Sequence, residues 1–428
     1  MRVLFVTNPE KTISRYLVSP AWALRTAGHD VRFAAQPGFA DVITGAGLTA
    51  VPVGSNRNQM RIARMAPEQL EAQRAGLPEP YDVLDHPDRA SWEYLRSGME
   101  VSLRDWHKME NFPIIADLVE FARSWQPDLV IWEPTAYAGA IAAKAVGAAH
   151  ARILFGIDVF GGVRRRYLEL KAQQPPSEQA DPLADWLAGY GRTYGFDFTE
   201  DMLTGHFTID QFPASLQTEA PGLHYLRMRY VPYGGRAIVP DWLRDPPKRP
   251  RVALTMGLSA TEIFDGYTIS LQDILTALAD LDIDIVATVA DNERKHLTHI
   301  PDNAHLVPYV PWHALVPTCS AVIHHAGAAT LATTSLTPVP QLALHYHFDQ
   351  PILARKLADT GAGLAIHTSQ ATGPAVRHAV QRLLTEPHFH QAATRLTHEI
   401  TTLPSPNDAV AMLESLVERR RNRTERAA

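Results

Sequence analysis

Residues 240–250 read Pro-Asp-Trp-Leu-Arg-Asp-Pro-Pro-Lys-Arg-Pro, with four prolines in eleven positions. Proline fixes φ and carries no N–H, so this stretch can continue neither a helix nor an inner strand. Its flanks make it a joint between two folding units. The chain opens on a short apolar run, Arg2-Val3-Leu4-Phe5-Val6-Thr7, and begins again past the prolines with Arg251-Val252-Ala253-Leu254-Thr255-Met256-Gly257, a strand entering a glycine turn. At 428 residues, 46% hydrophobic and 20% charged, the chain can bury two cores. The expected organisation is one domain over 1–240, a linker at 241–250 and a second domain over 251–428.

Both units have α/β patterning. After residues 2–7 come a loop, a helical pattern over 21–27 stopped by Gly28-His29, and an apolar run over 31–34. Strand, helix, glycine, strand is a βαβ unit, which requires a parallel sheet covered by helices on both faces. The unit recurs as helix 114–125, strand 129–132, helix 136–146 and strand 152–155. In the second half the pattern predicts a helix over 271–278, strands at 283–289 and from Ala321, and then a run of helices to the end. The irregular stretches 56–111 and 161–205 fit pocket walls and plain surface helices equally well. The tail 418–428, with five arginines, reads as a frayed, solvated end.

A formal net charge of −6 leaves no electrostatic footprint for nucleic acid. One cysteine, Cys319, excludes an internal disulfide. No run approaches the roughly 20 apolar residues of a membrane span, and the N-terminus lacks the apolar core and cleavage site of a signal peptide. The expectation is a cytoplasmic protein with no membrane partner.

Chemistry concentrates at His324-His325-Ala326-Gly327-Ala328-Ala329-Thr330, between the apolar run at 321–323 and a helical segment. A glycine turn leading into a helix aims free N–H groups and the helix dipole at whatever docks there, and a phosphate is the natural guest. His325 and Thr330 can add donors to the same anion. Further on, Phe348-Asp349-Gln350-Pro351 supplies polar groups at the right remove to hold an attached sugar. In isolation the histidines fit a strand end whose imidazoles cap carbonyls. Their context is more specific: Tyr309-Val310-Pro311-Trp312, the His-Ala-Gly turn, Pro338-Val339-Pro340-Gln341, Asp349-Gln350 and Thr360-Gly361-Ala362-Gly363 follow in that order.

This order resembles the donor-binding signature of family 1 glycosyltransferases of GT-B fold, whose two Rossmann-like domains face each other across a cleft. Other pieces, among them Trp125-Gln126-Pro127-Asp128-Leu129-Val130-Ile131-Trp132-Glu133-Pro134 and Met228-Arg229-Tyr230-Val231-Pro232-Tyr233, are similar to actinobacterial natural-product glycosyltransferases, in particular the branch typified by the erythromycin desosaminyltransferase. The resemblance implies inverting, metal-independent transfer of a deoxy- or aminodeoxysugar from a thymidine diphosphate (TDP) donor to a hydrophobic, polyketide-like small molecule. It places the nucleotide-sugar site in the second domain and the aglycone site in the first, with the last helix packing back on the first domain. By position, His325, Thr330 and backbone N–H groups near Gly327 and Ala328 hold the diphosphate. Ser259 adds a phosphate contact or caps its own helix. Tyr309 lies against the base, Val310 offers backbone hydrogen bonds, Trp312 is a second stacking or packing aromatic, and Asp349 and Gln350 reach sugar hydroxyls. The resemblance also implies two partners to look for, an activator protein resembling a cytochrome without its haem and a second copy of the chain.

Two departures stand out. Ala329 occupies a position that is usually glycine, which is tolerable if the backbone there is helical. More seriously, the position of the usual catalytic histidine holds Ile13, which cannot accept a proton. Three readings remain open. Another residue serves as base, with Glu133, Glu10, Ser14 and Asp158 as candidates; the aglycone needs little activation; or the chain is a non-catalytic helper that binds sugar nucleotide or aglycone. A nucleotide-sugar epimerase on the same fold is less favoured, because Trp22, Trp132 and the long insertions suggest a wide apolar pocket.

Overall fold

Two parallel sheets form, one on each side of the proline joint. The computed structural model describes residues 1–56, 74–257, 259–262, 264 and 266–427. The first sheet contains β1 (Arg2–Val6), β2 (Asp30–Ala35), β3 (Ala50–Pro52), β4 (Leu129–Trp132), β5 (Ala149–Ile153), β6 (Phe207–Asp210) and β7 (Tyr225–Arg227), in the order β3-β2-β1-β4-β5-β6-β7. The second contains β8 (Arg251–Thr255), β9 (Asp284–Thr288), β10 (Ala304–Val307), β11 (Ala321–His324), β12 (Gln341–His345) and β13 (Gly363–His367), in the order β10-β9-β8-β11-β12-β13. Helices cover both faces, so the central strands are apolar along their length; Val3 to Val6 have no exposed surface.

This topology positions the functional groups. The chain order reverses between β1 and β4 in one sheet and between β8 and β11 in the other. At such a switch point the connections leave in opposite directions and open a crevice beyond the carboxyl ends of the strands. The turn at 324–327 follows β11, and Glu133 follows β4.

The last third departs from the expected run of helices. Strands β12 and β13 interrupt it, and their Leu-Ala and Leu-Ala-Ile centres lack the period-two alternation that would separate a buried strand from a helix. The tail is another correction: Pro406–Ala427 is one helix. Ala409, Val410, Leu413 and Val417 are buried in the first domain's core, Glu414 reaches His29 at 3.1 Å, and Arg421 pairs with Asp128. Of the irregular stretches, 161–205 contributes much of the helix Val159–Lys171 and the whole of Pro182–Tyr194. In the other, the helix Trp92–Ser102 runs into a π-helical turn at Leu103–His107, and residues 57–73 lie outside the described residues.

Helix Lys11–Thr26 carries Pro20 in its interior. Proline cannot donate to the carbonyl of Tyr16, so the side-chain amide of buried Gln211 donates there instead, at 3.1 Å. Contacts between the domains include Glu399 with the Ser215 backbone N–H (3.1 Å) and hydroxyl (2.7 Å), Arg229 N–H with the Pro404 carbonyl (2.7 Å), and Gly76 N–H with the Tyr346 carbonyl (2.8 Å). Among the described residues no helix is long and apolar enough to cross a membrane.

Candidate functional site

The two histidines after β11 have different roles. His324 is fully buried; its Nδ1 accepts the Ala326 N–H at 2.9 Å, which leaves Nε2 to donate to Gln341 Oε1, also at 2.9 Å. It is a scaffold residue. His325 projects into the crevice, where its Nδ1 is buried without a hydrogen-bond partner. Burial, then the neighbouring His324, lowers its pKa to about 3, so the ring is neutral at physiological pH.

The glycine of this turn is needed for a different reason from the one expected. Gly327 has φ −60 and caps the helix Ala328–Ser335, whereas the left-handed residue is Ala326, with φ 61. Gly327 is required for space, because a Cβ there would stand 2.1 Å from His325 Nε2. On the other side of the ring, a Cβ on Gly257 would stand 2.5 Å from His325 Cε1. Two glycines thus form a slot for one imidazole. Ala329 lies inside the helix, where alanine has no conformational cost, and Thr330 is half-buried in its first turn.

A small pocket opens here, with His325, Gln350, Arg74, His347, Tyr346 and Thr368 in its wall. Gln350 uses its carbonyl to hold the loop before it, accepting from the N–H groups of Tyr346 (3.2 Å) and His347 (3.0 Å). Asp349, 8% exposed, faces the first domain, where the Ile157 N–H bonds it and a Cβ on Gly156 would stand 2.5 Å from its Oδ2. Burial raises its pKa to about 7. Phe348 before it has φ 47, a second non-glycine left-handed residue beside the crevice. Such strain concentrates at binding sites.

Tyr309 is 48% exposed, with its hydroxyl 3.5 Å from the Gly234 carbonyl of the first domain. Val310 is buried next to it. The Trp312 indole donates to Thr334 at 2.9 Å, which ties it to the helix that begins at Ala328. Ser259 starts the helix Ser259–Glu262, and its side chain lies outside the described residues.

Across the cleft, at the switch point of the first sheet, most of the expected bases are already committed. Glu10 caps helix Lys11–Thr26, its Oε2 accepting from Ile13 N–H (2.7 Å) and the Thr12 hydroxyl (2.6 Å). Ser14 donates to the Lys11 carbonyl at 3.0 Å. Asp158 is wholly buried, paired with Arg152 at 2.5 Å, bonded by the Tyr225 hydroxyl at 2.6 Å and capping Val159–Lys171 through Gly161 N–H at 2.8 Å. Ser14 and Asp158 are therefore structural, contrary to expectation, because their polar atoms are bonded inside the first domain.

Glu133 has no exposed surface. It accepts from the Thr135 N–H (2.7 Å), the Thr135 hydroxyl (2.9 Å) and the Asn8 N–H (3.3 Å), yet burial outweighs these donors and raises its pKa to about 7. Its neighbour Glu110, on the helix Lys108–Asn111, was not foreseen from the sequence. The Asn8 amide donates to Glu110 Oε2 and to the Thr135 hydroxyl, both at 2.9 Å, while Asn8 Oδ1 is buried without a partner. Burial, and then the charge of Glu133, raises the Glu110 pKa to about 8. Glu110, Asn8 and Thr135 come from three separate segments and carry no motif; only the sheet order brings them together. Arg74, His347 and Thr368 escaped sequence reasoning for the same reason.

Two further groups are accounted for. Among the described residues, His150, Asp201 and His206 have metal-ligand types within reach of one another. Trp132 N–H points at His150 Nδ1 (3.4 Å) and the His150 backbone N–H at His206 Nδ1 (3.2 Å), so both Nε2 atoms carry hydrogens; His150 Nε2 donates to Asp201 Oδ2 at 2.9 Å, and His206 Nε2 stands 3.3 Å from the same oxygen. Neither ring offers its Nε2 lone pair to a cation. Trp132, fully buried in β4, and Trp22, bonded to the Ala46 carbonyl at 3.0 Å, belong to packing and surface, which removes them as evidence for a wide pocket.

Two facing parallel α/β domains, each with a crevice at its switch point, are the GT-B fold, and the chain's relatives make it a glycosyltransferase of that fold. It belongs to the family described as erythromycin biosynthesis protein CIII-like, whose N-terminal domain model matches residues 22–257 and whose C-terminal domain model matches 272–416. It is 46% identical to a 10-deoxymethynolide desosaminyltransferase of Streptomyces venezuelae over 98% of each chain. It is 39% identical to a tylactone mycaminosyltransferase of Streptomyces fradiae, over 100% of this chain and 95% of that one. Among solved structures, the glycosyltransferase VinC in complex with dTDP superposes with a TM-score of 0.87 at 37% identity, covering 98% of this chain and 100% of that one.

Proposed function

We propose that the chain transfers a deoxy- or aminodeoxysugar, with inversion, from a TDP donor to a hydrophobic, polyketide-like aglycone in antibiotic biosynthesis. One observation carries the donor half of this reading: the His325 ring, which also bonds the Thr255 backbone, lines a pocket at the start of helix Ala328–Ser335. An imidazole beside the free N–H groups of a helix start suits an anionic ligand. In this reading His325, the Thr330 hydroxyl and the first N–H groups of the helix take the diphosphate, with no metal ion needed. Their hydrogen bonds strengthen as negative charge builds on the leaving diphosphate, which lowers the barrier to transfer. Gln350 and Asp349 hold the sugar at the rim, and Tyr309 flanks the base.

The desosaminyl- and mycaminosyltransferase names of the relatives support the aminodeoxysugar, and dTDP in the VinC complex supports the nucleotide. The relatives named are transferases, which favours turnover over a helper role. Calorimetry with TDP tests the donor half. Wild-type protein is expected to bind, and His325→Ala to weaken binding by about 1.5–3 kcal/mol, the range for a hydrogen bond to a charged group. Absence of binding by the wild type would remove the reading.

A further inference from the structure

We propose that Glu110 is the proton acceptor for the aglycone hydroxyl, the function that Ile13 cannot perform. The inference rests on the transferase reading above and adds the residue that activates the nucleophile.

Position comes first. Asn8 follows β1 and Glu133 follows β4, so the group that Asn8 ties to Glu110 stands at the mouth of the first domain's switch-point crevice. The other carboxylates nearby are enclosed or tied to helix ends and ion pairs, whereas Glu110, which accepts from Asn8, Trp106 and Thr135, is only half-buried. Glu133 is wholly enclosed and bonded by three donors, Glu10 caps a helix, and Asp158 is paired with Arg152. Glu110 keeps part of its surface open.

The hydrogen bonds around it have one consistent direction. Asn8 donates to Glu110 and to Thr135, and the Thr135 hydroxyl passes its own hydrogen to Glu133. Asn8 thereby makes Glu110 Oε2 an acceptor, and burial, which raises the carboxyl's pKa to about 8, makes it a stronger base once ionised. A second, independent observation points to a ligand at this spot: Asn8 is 4% exposed, and its Oδ1 has no partner. A buried carbonyl oxygen beside a carboxylate is a site for a hydroxyl group.

The neighbouring surface suits an apolar molecule. The π-helical turn Leu103–His107 just before Glu110 presents Trp106, which packs against Tyr81 (5.8 Å between rings) and Phe160 (5.9 Å) and donates its indole N–H to Glu110. π-Turns recur at functional sites because the extra residue redirects side chains that a regular helix would align differently. Here the redirected indole forms an aromatic wall beside the base.

The step balances without any further reagent. The aglycone O–H proton moves to a Glu110 oxygen, the hydroxyl oxygen bonds to the anomeric carbon, and the bond from that carbon to the diphosphate oxygen breaks with its electron pair leaving on TDP. Glu110 then returns its proton to water.

The test uses the full chain with 10-deoxymethynolide and TDP-desosamine, and TDP alone in calorimetry. Glu110→Gln is expected to lower kcat by about 10²–10⁴-fold, the range for general base catalysis. TDP affinity should stay unchanged. Glu110→Ala should lose the acid limb of the pH–rate profile and recover part of its rate with added formate, which a purely structural role does not predict. If Glu110→Gln keeps kcat within about threefold with TDP binding intact, the assignment to Glu110 is overturned and the donor site stands. If wild-type protein neither binds TDP nor transfers the sugar, the transferase reading fails, and this assignment with it.

Discussion

At the scale of single residues, the turn after β11 shows that a glycine can be needed for a reason other than its backbone freedom. The His-Ala-Gly motif and its place between a strand and a helix were legible in the sequence. The reason for the glycine was not, because it lies in the distance between a Cβ and an imidazole that the sequence does not encode locally. Gly327→Ala is therefore expected to push the His325 ring out of its slot and weaken TDP binding about tenfold, or roughly 1.4 kcal/mol. In a His325→Ala background the same substitution should cost little, because the clash is with the ring itself. Calorimetry across this double-mutant cycle measures the coupling; equal losses in both backgrounds would place the glycine's role in the backbone.

At the scale of elements, helix Lys11–Thr26 shows that a local rule can be broken where tertiary structure compensates. Pro20 argues against an uninterrupted helix, yet the helix continues because Gln211, from beyond β6, bonds the carbonyl that the proline leaves unpaired. Gln211→Ala is expected to destabilise the protein by about 1–3 kcal/mol, the cost of an unsatisfied buried polar group. The loss should shrink in a Pro20→Ala background, where residue 20 can donate again, and urea unfolding of the four proteins checks this. The same dependence on neighbours concealed β12 and β13. Buried strands and buried helix segments share an apolar composition, and only the pairing of β12 with β11 and of β13 with β12 distinguishes them here.

At the scale of the molecule, the cleft contains carboxyl groups that burial drives toward the neutral form: Glu110 at about 8 and Glu133 and Asp349 at about 7. Each is raised above its unfolded value, so the folded state holds the proton more tightly. Their contribution to stability is complete below about pH 4 and is lost as pH rises through 7–8. Buried His324, His325, His107 and His150 are lowered, and they oppose this trend only below their unfolded value of 6.5. Between pH 6.5 and 8.5 the carboxyls act unopposed by them, so unfolding free energy should fall across that window. Glu110→Gln should flatten the slope. Urea titrations at a series of pH values measure it, and a slope unchanged by the substitution would show that Glu110 has an ordinary pKa in the folded protein.

The sequence by itself determined what local pattern can carry: the two α/β units on either side of the proline joint, the strand-turn-helix around Gly327, and the absence of a histidine at residue 13. Each follows from periodicity, backbone stereochemistry or side-chain type within a short window. Tertiary structure decided what depends on distance between segments far apart in the chain. It buried Glu133, committed Glu10, Ser14 and Asp158 to capping and pairing, packed the last helix into the first core, and brought Asn8, Glu110 and Thr135 to one switch point. Sheet order fixes those meetings, because side chains become neighbours only when β1 and β4 lie side by side.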